Sequence, residues 1–165
     1  MKKKIIFIIV IFLLILFKYI TIQIDNNKLD NLYSNPIKVN QKYNNYTFDE
    51  YKDHINIVTY NGNEKKVNIP KYINNKKVYA IDDSAFYGDP NIKKVIIPNS
   101  VIRIGHQAFI GCNNLEEVYL PNGIMDIGEY SFDVCTNLKK IYVKKFTKTD
   151  ESIKSTKFYK YVEYK

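Results

Sequence analysis

Apolar residues fall into two patterns along this chain. From Ile5 to Phe17 thirteen of them run without a break, preceded by Lys2, Lys3 and Lys4. After Lys18 the stretch Tyr19–Ile24 is again mostly apolar. Further on the pattern becomes short and alternating: Val67-Asn68-Ile69, Val95-Ile96-Ile97 and Val118-Tyr119-Leu120, each closed by a proline at Pro70, Pro98 and Pro121. Alternation with period two reads as a half-buried strand, one face on the core and the other outward.

Pro98 and Pro121 are 23 residues apart and begin two aligned units, PNSVIRIGHQAFIGCNNLEEVYL and PNGIMDIGEYSFDVCTNLKKIYV. An earlier unit from Pro70, PKYINNKKVYAIDDSAFYGDPNIKKVII, carries five extra residues before Val78 and then falls into register. The apolar columns are Val78/Val101/Ile124, Ile81/Ile104/Ile127, Phe86/Phe109/Phe132, Ile92/Leu115/Leu138, Val95/Val118/Ile141 and Ile97/Leu120/Val143. Ala85/Ala108/Ser131 is a column of small residues. A unit this short cannot bury its own apolar side, so neighbours must stack over one continuous core. Repeats of one sense also place their strands in parallel.

The pattern V-x-x-I-G-x-x-A-F-x-G-C-x-x-L-x-x-V-x-I-P resembles the treponemal-type, or BspA-like, leucine-rich repeat of bacterial surface proteins. The resemblance covers residues 54–143, with Tyr60-Asn61-Gly62 through Val78 similar to the usual first unit of such arrays. Asp82 stands where the motif has its first Gly, Asp89 where it has Cys and Val134 where it has its second Gly, as befits terminal units. What the resemblance implies is an α/β-type repeat solenoid: a short leucine-rich-repeat array with a curved parallel β-sheet. Gly105 and Gly128 follow the Ile column where a turn with φ > 0 is expected, and Asp82 is among the few other residue types that tolerate one.

Residues 5–24 number twenty, about the ~20 that cross a bilayer core as a helix. The reading is an N-terminal transmembrane helix that keeps its lysines in the cytoplasm, or a cleaved secretory signal. No Ala occurs before Ala80, so the small-residue cleavage site is missing. The chain then divides into a signal or anchor helix (1–24), a spacer (25–53), the repeat array (54–143) and a C-terminal cap or tail (144–165). In that tail, Phe158 to Tyr164 alternates like a last strand covering the sheet edge. The localisation expected is a single-pass cell-membrane protein with an extracytoplasmic domain, or a secreted one if the signal is cleaved.

The net charge of +8 changes little once it is divided. It sits at the two ends and comes from 24 Lys and a single Arg, whereas a nucleic-acid interface spreads cations over one face with Arg prominent. No nucleic-acid partner is expected. Cys112 and Cys135 share one inward column and read as two buried thiols, a disulfide being the alternative in an exported protein. Neither His54 nor His106 joins that column, which leaves a two-Cys metal site short of ligands. His106 lies in the outward column Asp83/His106/Glu129. No Ser-His-Asp spacing, Gly-rich phosphate loop or paired-carboxylate motif occurs, so no enzyme, metal or cofactor is expected.

What remains is the outward face of the strands. Its columns are Lys66/Lys94/Glu117/Lys140 and Asn68/Ile96/Tyr119/Tyr142, with Lys65/Lys93/Glu116/Lys139 just before them. Opposite charges on adjacent rungs explain the first column by cross-strand pairing alone. Ile96, Tyr119 and Tyr142, flanked by Lys94, Glu117 and Lys140, are the candidate strip for a protein or glycan on the concave sheet face, with plain cross-strand packing as the other reading. The function expected is a non-catalytic, exported binding module of a bacterial cell surface, and the alternative is a structural protein packing against another envelope protein.

Overall fold

Alternating inward residues need a second layer to bury them, and the chain supplies it by giving each repeat one strand in each of two sheets. The computed structural model describes residues 12–21, 23 and 35–165. In chain order the strands are β1 (Lys38–Tyr43), β2 (Tyr46–Glu50), β3 (His54–Tyr60), β4 (Lys66–Asn68), β5 (Tyr72–Ile73), β6 (Lys76–Ile81), β7 (Lys94–Ile96), β8 (Arg103–Ile104), β9 (Glu117–Tyr119), β10 (Asp126–Ile127), β11 (Lys140–Val143) and β12 (Val162–Tyr164). A helix, α1 (Lys148–Lys154), and a 3-10 turn (Lys157–Tyr161) lie between β11 and β12.

The first sheet has the order β1-β2-β3-β6-β8-β10, with β5 as a hairpin partner of β6. The second is β12-β11-β9-β7-β4, parallel at every step. All members of the six apolar columns and of the small column are buried between the sheets. The phenylalanine column stacks ring on ring, Phe86 to Phe109 at 4.6 Å and Phe109 to Phe132 at 5.3 Å. Tyr60 extends the stack at one end, 4.9 Å from Phe86, and Phe158 closes the other edge-on to Phe132 at 5.5 Å.

Within the repeats the segments between the sheets are turns rather than α-helices, which corrects the α/β expectation. Two left-handed columns prevent a helix: Ser84, Gln107 and Tyr130 have φ of 59°, 56° and 59°, and Gly88, Gly111 and Val134 have 65°, 75° and 56°. The turns bond to one another from unit to unit, for instance Phe86 N–H to Ala108 O at 2.8 Å and Phe109 N–H to Ser131 O at 2.7 Å. Gly105 and Gly128 are absent from the positive-φ residues, so the expected reason for them is replaced by another: close backbone approach.

The stretch expected to be a spacer holds strands at residues 38–43 and 46–50. β1 pairs antiparallel with β2 and β2 with β3, and Tyr46 and Phe48 enter the core. Alternation across Tyr46-Thr47-Phe48 is the signal for it, and Asn44 at φ 49° sits in the tight turn between the strands. At the far end α1 seals the last unit. Thr147 caps it by accepting from Asp150 N–H, and Thr149 Oγ1 accepts from Ile124 N–H at 2.9 Å and donates to Pro121 O. Of the expected final strand only Val162–Tyr164 is extended, because residues 157–161 wind into the 3-10 turn that brings Phe158 under the stack.

Of the apolar segment Ile5–Ile24, residues 12–21 are helical and exposed; residues 5–11, 22 and 24 lie outside the described residues. Among the described residues no helix is long and apolar enough to cross a membrane.

Candidate binding surface

The register of the second sheet sets the candidate strip. Lys66, Lys94, Glu117 and Lys140 are direct neighbours across β4, β7, β9 and β11, and Asn68, Ile96, Tyr119 and Tyr142 are the neighbours two residues on. Parallel in-register pairing of equivalent units brings all six predicted residues onto one face, Lys94, Ile96, Glu117, Tyr119, Lys140 and Tyr142. All are half-buried except Lys140, which is exposed.

Tyr119 and Tyr142 stack with centroids 4.3 Å apart and planes 27° from parallel. The Lys94 ammonium stands 4.2 Å over the Tyr119 ring, donates to its hydroxyl at 3.1 Å and bonds the Glu117 carboxylate at 2.9 Å. That carboxylate holds the ammonium above its ordinary range, and the ammonium holds Glu117 below the usual carboxylate range. Lys140 is paired with Glu163 at 2.7 Å, and the Tyr142 hydroxyl is pushed up by desolvation. Glu163 on β12, beside Tyr142 in the ladder, and Lys165, 5.4 Å over Tyr119, complete the face and were not among the predicted residues. Alternation in Val162-Glu163-Tyr164 was the available signal, but Ile141 and Val162 are 21 residues apart and break the period of 23.

The rest of the chemistry serves the fold. Cys112 and Cys135 are free, and each thiol donates to the phenylalanine carbonyl of the preceding unit, Phe86 O at 3.0 Å and Phe109 O at 3.1 Å. Burial pushes the Cys112 thiol up to about 12 and the Cys135 thiol up to about 11. In the first unit Asp89 takes the cysteine position, and its carboxylate accepts from Asn91 and Ile92 N–H at 2.8 and 3.1 Å.

On the outer side of the first sheet Arg103 reaches Asp82 at 3.3 Å, Asp83 at 2.9 Å and Asp126 at 3.6 Å, tying three units together. Burial pushes the Asp82 carboxyl up to about 6 against the pull of Arg103. His54 is buried between the rings of Tyr51 (4.4 Å) and Tyr79 (5.1 Å), with Nδ1 on Asp53 at 2.8 Å. His106 stays partly exposed, its Nε2 3.6 Å from Glu129. Among the described residues no group of three His, Cys, Asp or Glu is placed to hold a metal ion. A shallow cleft of about 510 Å³ lies between the last repeat and the cap, with Lys157 4.6 Å over the Tyr130 ring and paired with Asp133 at 2.7 Å.

Comparison with known proteins agrees with the fold. The BspA type leucine rich repeat region matches residues 79–164. A leucine-rich repeat protein of T. pallidum is 29% identical over 64% of this chain and 53% of its own, with a TM-score of 0.59. The chain therefore spans about half of that protein's length. One from Bacteroides capillosus is 25% identical over 78% of this chain and 99% of its own, with a TM-score of 0.65. A leucine rich cell surface protein of Faecalibacterium prausnitzii is 26% identical over 68% of this chain and 35% of its own, with a TM-score of 0.55. No curated protein matches the sequence.

Proposed function

We propose that this chain, which belongs to the BspA-type leucine-rich repeat family, is a non-catalytic binding module displayed outside a bacterial cell. Its partner is a protein or glycan taken up on the outer face of the five-stranded sheet. The observation that carries this reading is the Tyr119–Tyr142 stack with a lysine over its outer ring. Two tyrosines fixed by stacking offer a flat, rigid, amphipathic platform at low entropic cost, the kind of surface that stacks a sugar ring or anchors a peptide side chain. Lys94, Glu117 and Lys140 in the neighbouring row, and Glu163 at the end of the tyrosine row, are already paired and keep the apolar part narrow. That narrowness favours reversible recognition over permanent packing against another envelope protein.

The apolar segment from Ile5 to Ile24, behind three lysines, serves as the membrane anchor or export signal. In support, the side chains of Phe12, Leu14, Ile15 and Phe17 are more than half exposed to solvent. Cell fractionation tests this half of the proposal, and recovery of the whole protein from the cytosol would overturn it. The other half is tested with Tyr119→Ser combined with Tyr142→Ser, in adhesion to immobilised matrix proteins and glycans. Binding is expected to fall about thirtyfold, as for the loss of an anchoring aromatic, with a small change in melting. Lys52→Ser, exposed and distant in sequence, serves as the control. Equal adhesion by parent and double variant would remove the face from function.

A further inference from the structure

The two sheets are finished differently at their ends. The first sheet begins with the β1–β2 hairpin and its last unit is sealed by α1. The second ends in β12, whose Tyr164 hydroxyl is locked by Asp150 at 2.9 Å and Tyr159 at 3.2 Å. At its other end stands β4, and among the described residues no strand pairs with its outer edge. β4 uses Lys65 O and Ile69 N for its bonds to β7, both at 3.0 Å. The alternate residues Lys66 and Asn68 therefore direct their N–H and C=O groups away from the sheet. Beside that edge runs a groove of about 460 Å³, lined by Tyr46, Tyr60, Glu64, Lys66, Val67 and Asn68.

Charge along the ladder says what fits there. Glu116 is bridged by both Lys93 and Lys139, Lys94 pairs with Glu117, and Lys140 pairs with Glu163. Lys65 and Lys66 occupy the same two columns at the open edge, are exposed, and have no ion-pair partner among the described residues. The nearby Glu64 is held by Asn45 at 2.8 Å and by the Tyr60 hydroxyl. An added rung completes the ladder when it carries carboxylates at both positions.

We propose that the outer edge of β4 is a docking site for an acidic, extended peptide of a partner protein, taken up as a further parallel strand of the second sheet. Main-chain bonds to Lys66 and Asn68 give it affinity, an inward apolar side chain enters the groove over Tyr46 and Tyr60, and two acidic residues pair with Lys65 and Lys66. This site is separate from the tyrosine face and stands or falls without it.

The probe is a synthetic peptide of residues 115–121, the acidic rung of this chain itself, added to the full chain in mild detergent. Saturable binding is expected, with the Lys66 and Asn68 amides gaining protection from hydrogen exchange. Lys65→Glu with Lys66→Glu should weaken that binding on the order of tenfold, and should transfer preference to the same peptide carrying Glu116→Lys and Glu117→Lys. Asn68→Pro removes an outward N–H without touching the β7 pairing, so it should abolish binding with melting unchanged. Absence of saturable binding would overturn the proposal, as would binding indifferent to both variants. Self-association of the full chain that Asn68→Pro abolishes would also overturn it, by assigning the edge to a second copy.

Discussion

Gly105 and Gly128 lie in backbone contact across neighbouring units: a Cβ on Gly128 would stand 2.6 Å from the Gly105 carbonyl carbon and 2.5 Å from His106 N. Neither glycine has positive φ, so the residue is needed for space and not for conformation. Gly128→Ala must push two units apart, and is expected to destabilise by ~1–3 kcal/mol. Gly123→Ala, where a Cβ meets nothing within 4 Å, should leave melting unchanged or slightly raised. Equal melting of the two variants would refute the close-approach account.

Phe109 is fully buried between the rings of Phe86 and Phe132. Phe109→Ala opens a void in the middle of the stack and should cost ~3–5 kcal/mol, a large part of the stability of so small a domain. Thermal melting checks it, and a shift of only a few degrees would place the phenylalanine column outside the core.

Val134 holds φ 56° where the preceding units have Gly111 and Gly88, and its side chain is 58% exposed. A β-branched residue in the left-handed region costs roughly 1–2 kcal/mol and gains little packing here. Val134→Gly relieves that strain at the expense of a more flexible unfolded chain, so a net gain of about 0.5–1 kcal/mol is expected in denaturant unfolding.

Asp82 links stability to pH. Its folded carboxyl is raised to about 6 from an ordinary 3.8, so the folded state holds the proton more tightly than the unfolded one. The stabilisation is fully present below about pH 4 and is lost as pH rises to about 6, with an upper size of about 3 kcal/mol. Asp82→Asn should raise stability at pH 7 and flatten the pH profile between 4 and 6, since Arg103 keeps Asp83 and Asp126. Parallel profiles for parent and variant would show that Asp82 ionises normally.

How far the fold was legible in the sequence follows from what repeats. The six apolar columns, the parallel strands and the two rows of the candidate face were readable from one period of 23, because each inward residue packs on its equivalent in the next unit. A pattern seen three times in register needs no knowledge of distant contacts. The identity of the tyrosine pair and the charge alternation beside it belong to the same class.

Tertiary structure decided everything that occurs once. The β1–β2 hairpin joined to the first sheet, the cap that carries Phe158 under the stack, and Glu163 and Lys165 at the tyrosine face are contacts between distant segments with no second copy to align. The role of the glycines was hidden for a related reason. A missing Cβ looks the same in sequence whether the backbone turns left-handed or the backbone of the neighbouring unit passes close by, and only the packed units distinguish the two.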